Sequence, residues 1–142
     1  DFAASMLETY KGKISGPILD RIAFWLAVPP VAYETLTAKA ATSDQTSNAR
    51  TQILQARTKQ KERLQNRGVS SNAEMSARDI DEVLMLSSEV QDVLKQSAQQ
   101  LNLSPRGYHR VIKVARTIAD LDEKQEIEPS HVYEALQYRV KL

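Results

Sequence analysis

Residues 104–120, SPRGYHRVIKVARTIAD, decide the fold. Ser104 can cap the free N–H groups of a helix start. Pro105 suits the first helical position, where no amide hydrogen is needed. Tyr108, Val111, Ile112, Ala115, Ile118 and Ala119 follow at helical spacing, which predicts one face turned to a core. The other face carries Arg106, Arg110 and Lys113 in one stripe, at intervals of four and three. Arg106 stands in the first turn, where the helix dipole disfavours a cation by about 0.3–1 kcal/mol. Exposed N–H groups beside an arginine suit an anion such as a phosphate. A solvated basic face accounts for the same residues, and both readings stay open at this point.

The elements around this helix are also helical. Pro129 predicts the start of a last helix, with Val132, Ala135, Leu136 and Val140 inward. Upstream, Ser87 or Ser88 caps a helix with Val90, Val93, Leu94, Ala98 and Leu101 at core spacing. Ser76 caps a short helix, with Asp79 as the acid of a capping box. Arg67 to Met75 reads as a loop. From Thr46 to about Asn66 a long helix has a thin apolar stripe of Ala49, Ile53, Ala56 and Leu64. Arg50, Arg57, Lys59, Lys61, Arg63 and Arg67 make it the most basic segment. Residues 46–142 are therefore expected to form a helical bundle, and the chain to be mainly α.

The N-terminal part reads differently. Residues 2–10 suggest a short amphipathic helix, and residues 11–17 a loop. Ile22–Val28, IAFWLAV, is apolar on both alternating faces and is stopped by Pro29 and Pro30. That is the pattern of a strand buried on both sides. No later segment offers a partner strand, and a lone buried strand cannot satisfy its backbone. The expectation is an orphan strand left from an α/β core, with residues 1–30 poorly packed. Residues 31–45 read as a linker with a short helix.

At 142 residues the chain is long enough for one domain with a real core. A net charge of +1 gives no bulk argument for nucleic acid or an anionic membrane. There is no cysteine, so no disulfide and no thiolate metal site, and a cytoplasmic setting is compatible. No apolar run reaches membrane-spanning length, and no membrane partner is expected. The chain starts at Asp1 in what looks like the middle of something and reads as an excised fragment.

SPRGYHRVIKVARTIADL, followed by Glu134–Arg139, EALQYR, resembles the C-terminal region of magnesium-chelatase-like AAA+ ATPases, the ComM/YifB competence group in particular. Lys13–Ile22, KISGPILDRI, resembles the segment at the end of that group's ATPase core. ARTKQKER, carrying Ala56, Arg57, Gln60 and Arg63, also fits its pattern. The resemblance implies the end of an ATPase core followed by a helical lid. It implies ATP and Mg as ligands of an intact ring-forming protein that acts on DNA, with its own core and neighbouring subunits as partners. It implies that Arg21 is an arginine finger on a neighbouring subunit's ATP. Arg106 matches the second nucleotide sensor, and Arg110, one turn on in the same stripe, is taken with it as a nucleotide-binding residue. An acidic residue usual after DRI is Ala23 here, and a second is Ala27, with Trp25 between them. A local salt bridge from Arg21 to Asp20 or Glu8 is the plainer alternative.

A P-loop, G-x-x-x-x-G-K-[ST], is missing. Gly12 and Gly16 stand one residue too close, with Pro17 next. This stretch alone is expected to bind no cofactor and to hydrolyse no ATP. His109 and His131 each stand alone in their helices, without a second histidine four residues away. They read as ordinary helix histidines, half-buried or at the surface, and no metal site is expected. Three rivals remain: a magnesium chelatase lid, a stand-alone helical nucleic-acid module using Arg50–Arg67 and Arg106–Lys113, and a helical interaction module.

Overall fold

The computed structural model describes residues 21–26, 28–30 and 44–139. Among them are five α-helices: α1 (Asp44–Leu64), α2 (Ala77–Val83), α3 (Ser88–Gln100), α4 (Pro105–Leu121) and α5 (Pro129–Gln137). A 3-10 turn, Asn72–Glu74, lies between α1 and α2. The helix starts follow from their caps. Ser104 Oγ accepts from the Gly107 N–H at 3.0 Å, and Ser87 Oγ from the Val90 N–H at 3.3 Å. Ser76 Oγ accepts from the Asp79 N–H at 3.2 Å, while Asp79 Oδ2 accepts from the Ser76 N–H at 2.8 Å. That completes the expected capping box.

Two helix ends carry no glycine. Asn102 (φ 46°) and Glu123 (φ 59°) take the left-handed conformation after α3 and α4. The Leu103 N–H then donates to the Ala98 carbonyl at 2.9 Å, and the Lys124 N–H to the Ala119 carbonyl at 2.8 Å. Both are the back-bonded ends that satisfy free helix carbonyls. After α1 the turn does use glycine, Gly68 at φ +71°. A side chain there would meet open space but would strain the backbone.

Helix α4 is the centre of the bundle. It packs against α5, α1, α2 and the 3-10 turn, while α3 packs on α5. Its Val111, Ile112, Ala115, Ile118 and Ala119 are buried as their spacing predicts. Leu64, Met75, Leu94 and Val132 join them in one core. The stripe of α1 is shorter than expected. Ala56 and Leu64 are buried, but Ala49 is exposed and Ile53 is 53% exposed. The buried residues of α1 are Ala56, Gln60 and Leu64, all in its second half, and among the described residues the first half finds no such cover. Leu101 is likewise exposed, because the chain turns away at Asn102. Val140 lies outside the described residues, as do residues 1–20 and 31–43.

The orphan strand is not seen. The described residues contain no strand, and Ile22, Phe24, Leu26 and Val28 are exposed rather than buried on two faces. A doubly buried strand needs flanking strands, and the described residues supply none. The segment instead lies along the bundle. The Trp25 N–H donates to the Tyr138 carbonyl at 2.8 Å, Phe24 meets the Tyr138 ring at 5.1 Å, and Arg110 Nη1 donates to the Ile22 carbonyl at 2.7 Å. Tyr138 caps the end of α5, so one strand-type donor finds a carbonyl that the helix leaves free.

Three surface carboxylates make the bundle acid-sensitive. Hydrogen bonds from Ser76 hold Asp79 below its ordinary value of 3.8. The Ser70 N–H, then Ser71, lowers Glu74 from 4.5, and Arg67 with Arg78 lowers Glu82 from 4.5. A depressed carboxyl stabilises the fold above its unfolded pKa and loses that contribution as pH falls through its folded one. The melting temperature should therefore fall as pH drops below about 4.5, and Asp79→Asn should make that fall shallower. A melting temperature that is level or rising from pH 5 down to 3 would contradict this assignment.

Candidate functional site

The second half of α1 is locked to α4 by a buried charge network. Asp120, 0% exposed, sits in the last turn of α4, where a carboxylate opposes the helix dipole. Cations compensate it. Arg63 of α1 grips it with both guanidinium nitrogens, Nη1 to Oδ2 at 3.1 Å. Arg116 Nε donates at 3.2 Å and Asn72 Nδ2 at 2.8 Å. Arg116 also donates to the carbonyls of Gln125 and Lys124, each at 2.7 Å, fixing the turn after α4. Burial lowers the Arg116 pKa, and Asp120 opposes that shift. On α1, Gln60 Oε1 accepts from the Asn72 N–H at 3.2 Å. These contacts set where the α1 side chains one turn earlier stand.

Those side chains face a groove of about 870 Å3 between α1, α4 and residues 21–24. Arg57 lines it from α1. Arg106, Arg110 and Lys113 line it from α4, and Arg21 from the docked segment. Among the described residues no carboxylate lines it. A second cavity, about 920 Å3, has mixed charge, with Asp81, Asp92 and Lys95. The first is the one with a single sign of charge, which favours an anion.

The three sequence-predicted residues thus meet in one groove, but they are engaged differently. Arg110 is half-buried and holds the Ile22 carbonyl, so it is a tie to the docked segment as well as a groove cation. Lys113 Nζ donates to the Ala73 carbonyl at 3.1 Å. Burial lowers its pKa, Asp79 opposes this, and Arg106 adds to the lowering. Arg106 and Arg21 are exposed and form no ion pair among the described residues. Asp20 and Glu8, the salt-bridge alternatives for Arg21, lie outside the described residues. In the sequence Lys113 belongs to the basic stripe of α4, and Arg57 to the basic run of α1 and to the ARTKQKER stretch. Nothing in the spacing alone tells which lysine or arginine of α1 faces α4.

The two histidines sit in different surroundings. Among the described residues no group of three or more His, Cys, Asp and Glu could hold a metal ion. His109 is half-buried, as expected for an ordinary helix histidine. His131 is buried and serves the start of α5, where its Nδ1 accepts from the Glu128 N–H at 2.9 Å. Its Nε2 stands 3.3 Å from Asp122 Oδ2. No helix of the described residues is long and apolar enough to cross a membrane.

Residues 43–139 match the family described as magnesium chelatase, subunit ChlI C-terminal. The chain belongs to this family. The matched stretch begins one residue before α1, so it holds Arg57, Arg106, Arg110, Lys113 and the whole Asp120 network. Arg21 falls outside it. Over 92% of its length the chain is 34% identical to the competence protein ComM of Haemophilus influenzae. It is 33% identical to YifB of Escherichia coli over the same share, and 31% identical to Rv2897c of Mycobacterium tuberculosis over 96%. It covers 25% of the length of ComM and YifB, and 27% of Rv2897c. The chelatase family's C-terminal region is therefore a helical bundle in this chain, with a cationic groove against its central helix.

Proposed function

We propose that this chain is the nucleotide-sensing lid of a longer ATPase of the ComM/YifB type, an AAA+ protein that acts on DNA. The observation that carries the reading is the groove. Arginines and a lysine from three separate segments converge there, with no carboxylate among the described residues that line it. Such a site suits the phosphates of ATP, while the Mg that accompanies them would be held by the core of the longer protein.

The roles follow from position. Arg106, exposed in the first turn of α4, contacts the γ-phosphate as the second sensor. The dipole cost of an arginine there is offset once an anion binds. Arg110 steadies residues 21–24 beside it. Arg21 is the arginine finger, acting on ATP held by a neighbouring subunit of a ring. The phosphate-binding loop comes from the core of the longer protein, since none stands in this chain.

The test is ATP turnover by the longer protein, measured with and without DNA, beside the same assay on this chain alone. The reading expects turnover by the longer protein, raised by DNA, and none by the 142-residue chain. Turnover by this chain that a point mutation within it removes would sink the lid assignment.

A further inference from the structure

We propose that Arg57 is a second ligand for the nucleotide's phosphates, gripping the polyphosphate chain from the α1 wall of the groove. The proposal rests on the nucleotide-sensing reading of Arg106 and adds a second wall to it.

Arg57 is placed by neighbours that cannot easily move. Ala56, 3% exposed, packs beside it, and Gln60 and Arg63 are pinned to Asn72 and Asp120. Yet Arg57 itself is exposed and has no ion pair among the described residues. Glu74 feels its charge, but that carboxylate is already taken by the Ser70 N–H at 3.0 Å and Ser71 Oγ at 2.8 Å. Of the groove's other cations, Lys113 and Arg110 are committed to the backbone carbonyls of Ala73 and Ile22, and Arg21, exposed like Arg57, is the residue assigned above to a neighbouring subunit's ATP. Arg57 and Arg106 therefore have the most donor capacity left for a ligand. One stands on each of the two helices that the Asp120 network clamps together, so the spacing of the two helix walls that carry them is set before any anion arrives. Two arginine forks on facing walls favour a ligand with several phosphate oxygens over a single ion.

The chain carries its own reporter. Trp25 is the single tryptophan, and it follows Phe24, which lines the groove. Inorganic tripolyphosphate and ATP should be titrated into the 142-residue chain at fixed ionic strength, with tryptophan fluorescence and calorimetry as readouts. The expected result is saturable tripolyphosphate binding, weakened about tenfold by Arg57→Ala and again by Arg106→Ala. Arg57→Lys should keep part of the affinity, and Arg57→Glu should abolish binding while leaving the melting temperature near that of the parent. Arg78→Ala on α2, outside the groove, should bind as the parent does. If Arg57→Ala binds normally while Arg106→Ala is weakened, the α1 wall is wrong and the Arg106 reading stands. If neither variant is weakened, or the parent chain does not bind tripolyphosphate, the groove is not a phosphate site and both fall.

Discussion

Asp120→Ala is expected to unfold much of the bundle's margin of stability. The carboxylate is fully buried and is the shared acceptor for Arg63, Arg116 and Asn72. Removing it leaves two guanidiniums facing each other, one of them 2% exposed. Breaking a buried pair from one side costs about 3–5 kcal/mol. Domains of this size hold about 5–15 kcal/mol in all. At about 4–8 °C per kcal/mol the melting temperature should fall by tens of degrees.

Arg63→Ala should also destabilise, and the double variant should cost less than the sum, because both changes disrupt one network. Arg78→Ala is the contrast. Its pair with Glu82 is exposed, 83% on the arginine side, and losing it should move the melting temperature by a few degrees at most. Melting by circular dichroism on the four variants tests this. If Asp120→Ala melts within a few degrees of the parent, the network does not hold α1 to α4, and the groove's fixed width loses its basis.

The helical part of the fold could be read from local signals. Ser76, Ser87, Ser104, Pro105 and Pro129 each act over three or four residues, and the structure keeps each in its predicted role. The core face of α4 followed from its period in the same way. The ends of α3 and α4 did not, because Asn102 and Glu123 adopt a left-handed conformation that glycine usually marks. The orphan strand failed for a related reason. An apolar run states that burial is wanted, but the partner that provides it lies elsewhere in the chain or outside it.

The charge network is only partly legible in the sequence. Arg116 and Asp120 stand four and eight residues after Ile112, on the core side of α4. Two opposite charges at core spacing are a signal of a buried pair, and that signal was available. The third member, Arg63, was not, since its contact spans 57 positions. The groove was partly accessible in the same sense. One stripe of α4 was visible, but the facing wall depends on which side of α1 meets α4, and tertiary packing alone decides that.

Arg106→Ala in the longer protein is expected to lower ATP turnover about a hundredfold or more, the scale seen when a positioned donor to a transferring phosphoryl group is lost. Stability should hardly change. The side chain is exposed, has no ion pair among the described residues, and opposes the dipole of its own helix. Arg106→Lys should recover only part of the rate, because an ammonium lacks the planar two-pronged donor set. Arg110 is no neutral control, since its guanidinium holds the Ile22 carbonyl, so Arg78→Ala takes that place. The decisive measurement is kcat for ATP per folded molecule, with melting temperatures from the same samples. A large loss of turnover at an unchanged melting temperature is the predicted result. Turnover per folded molecule equal to the parent's, with an earlier melt, would make Arg106 a structural residue and contradict the sensing lid.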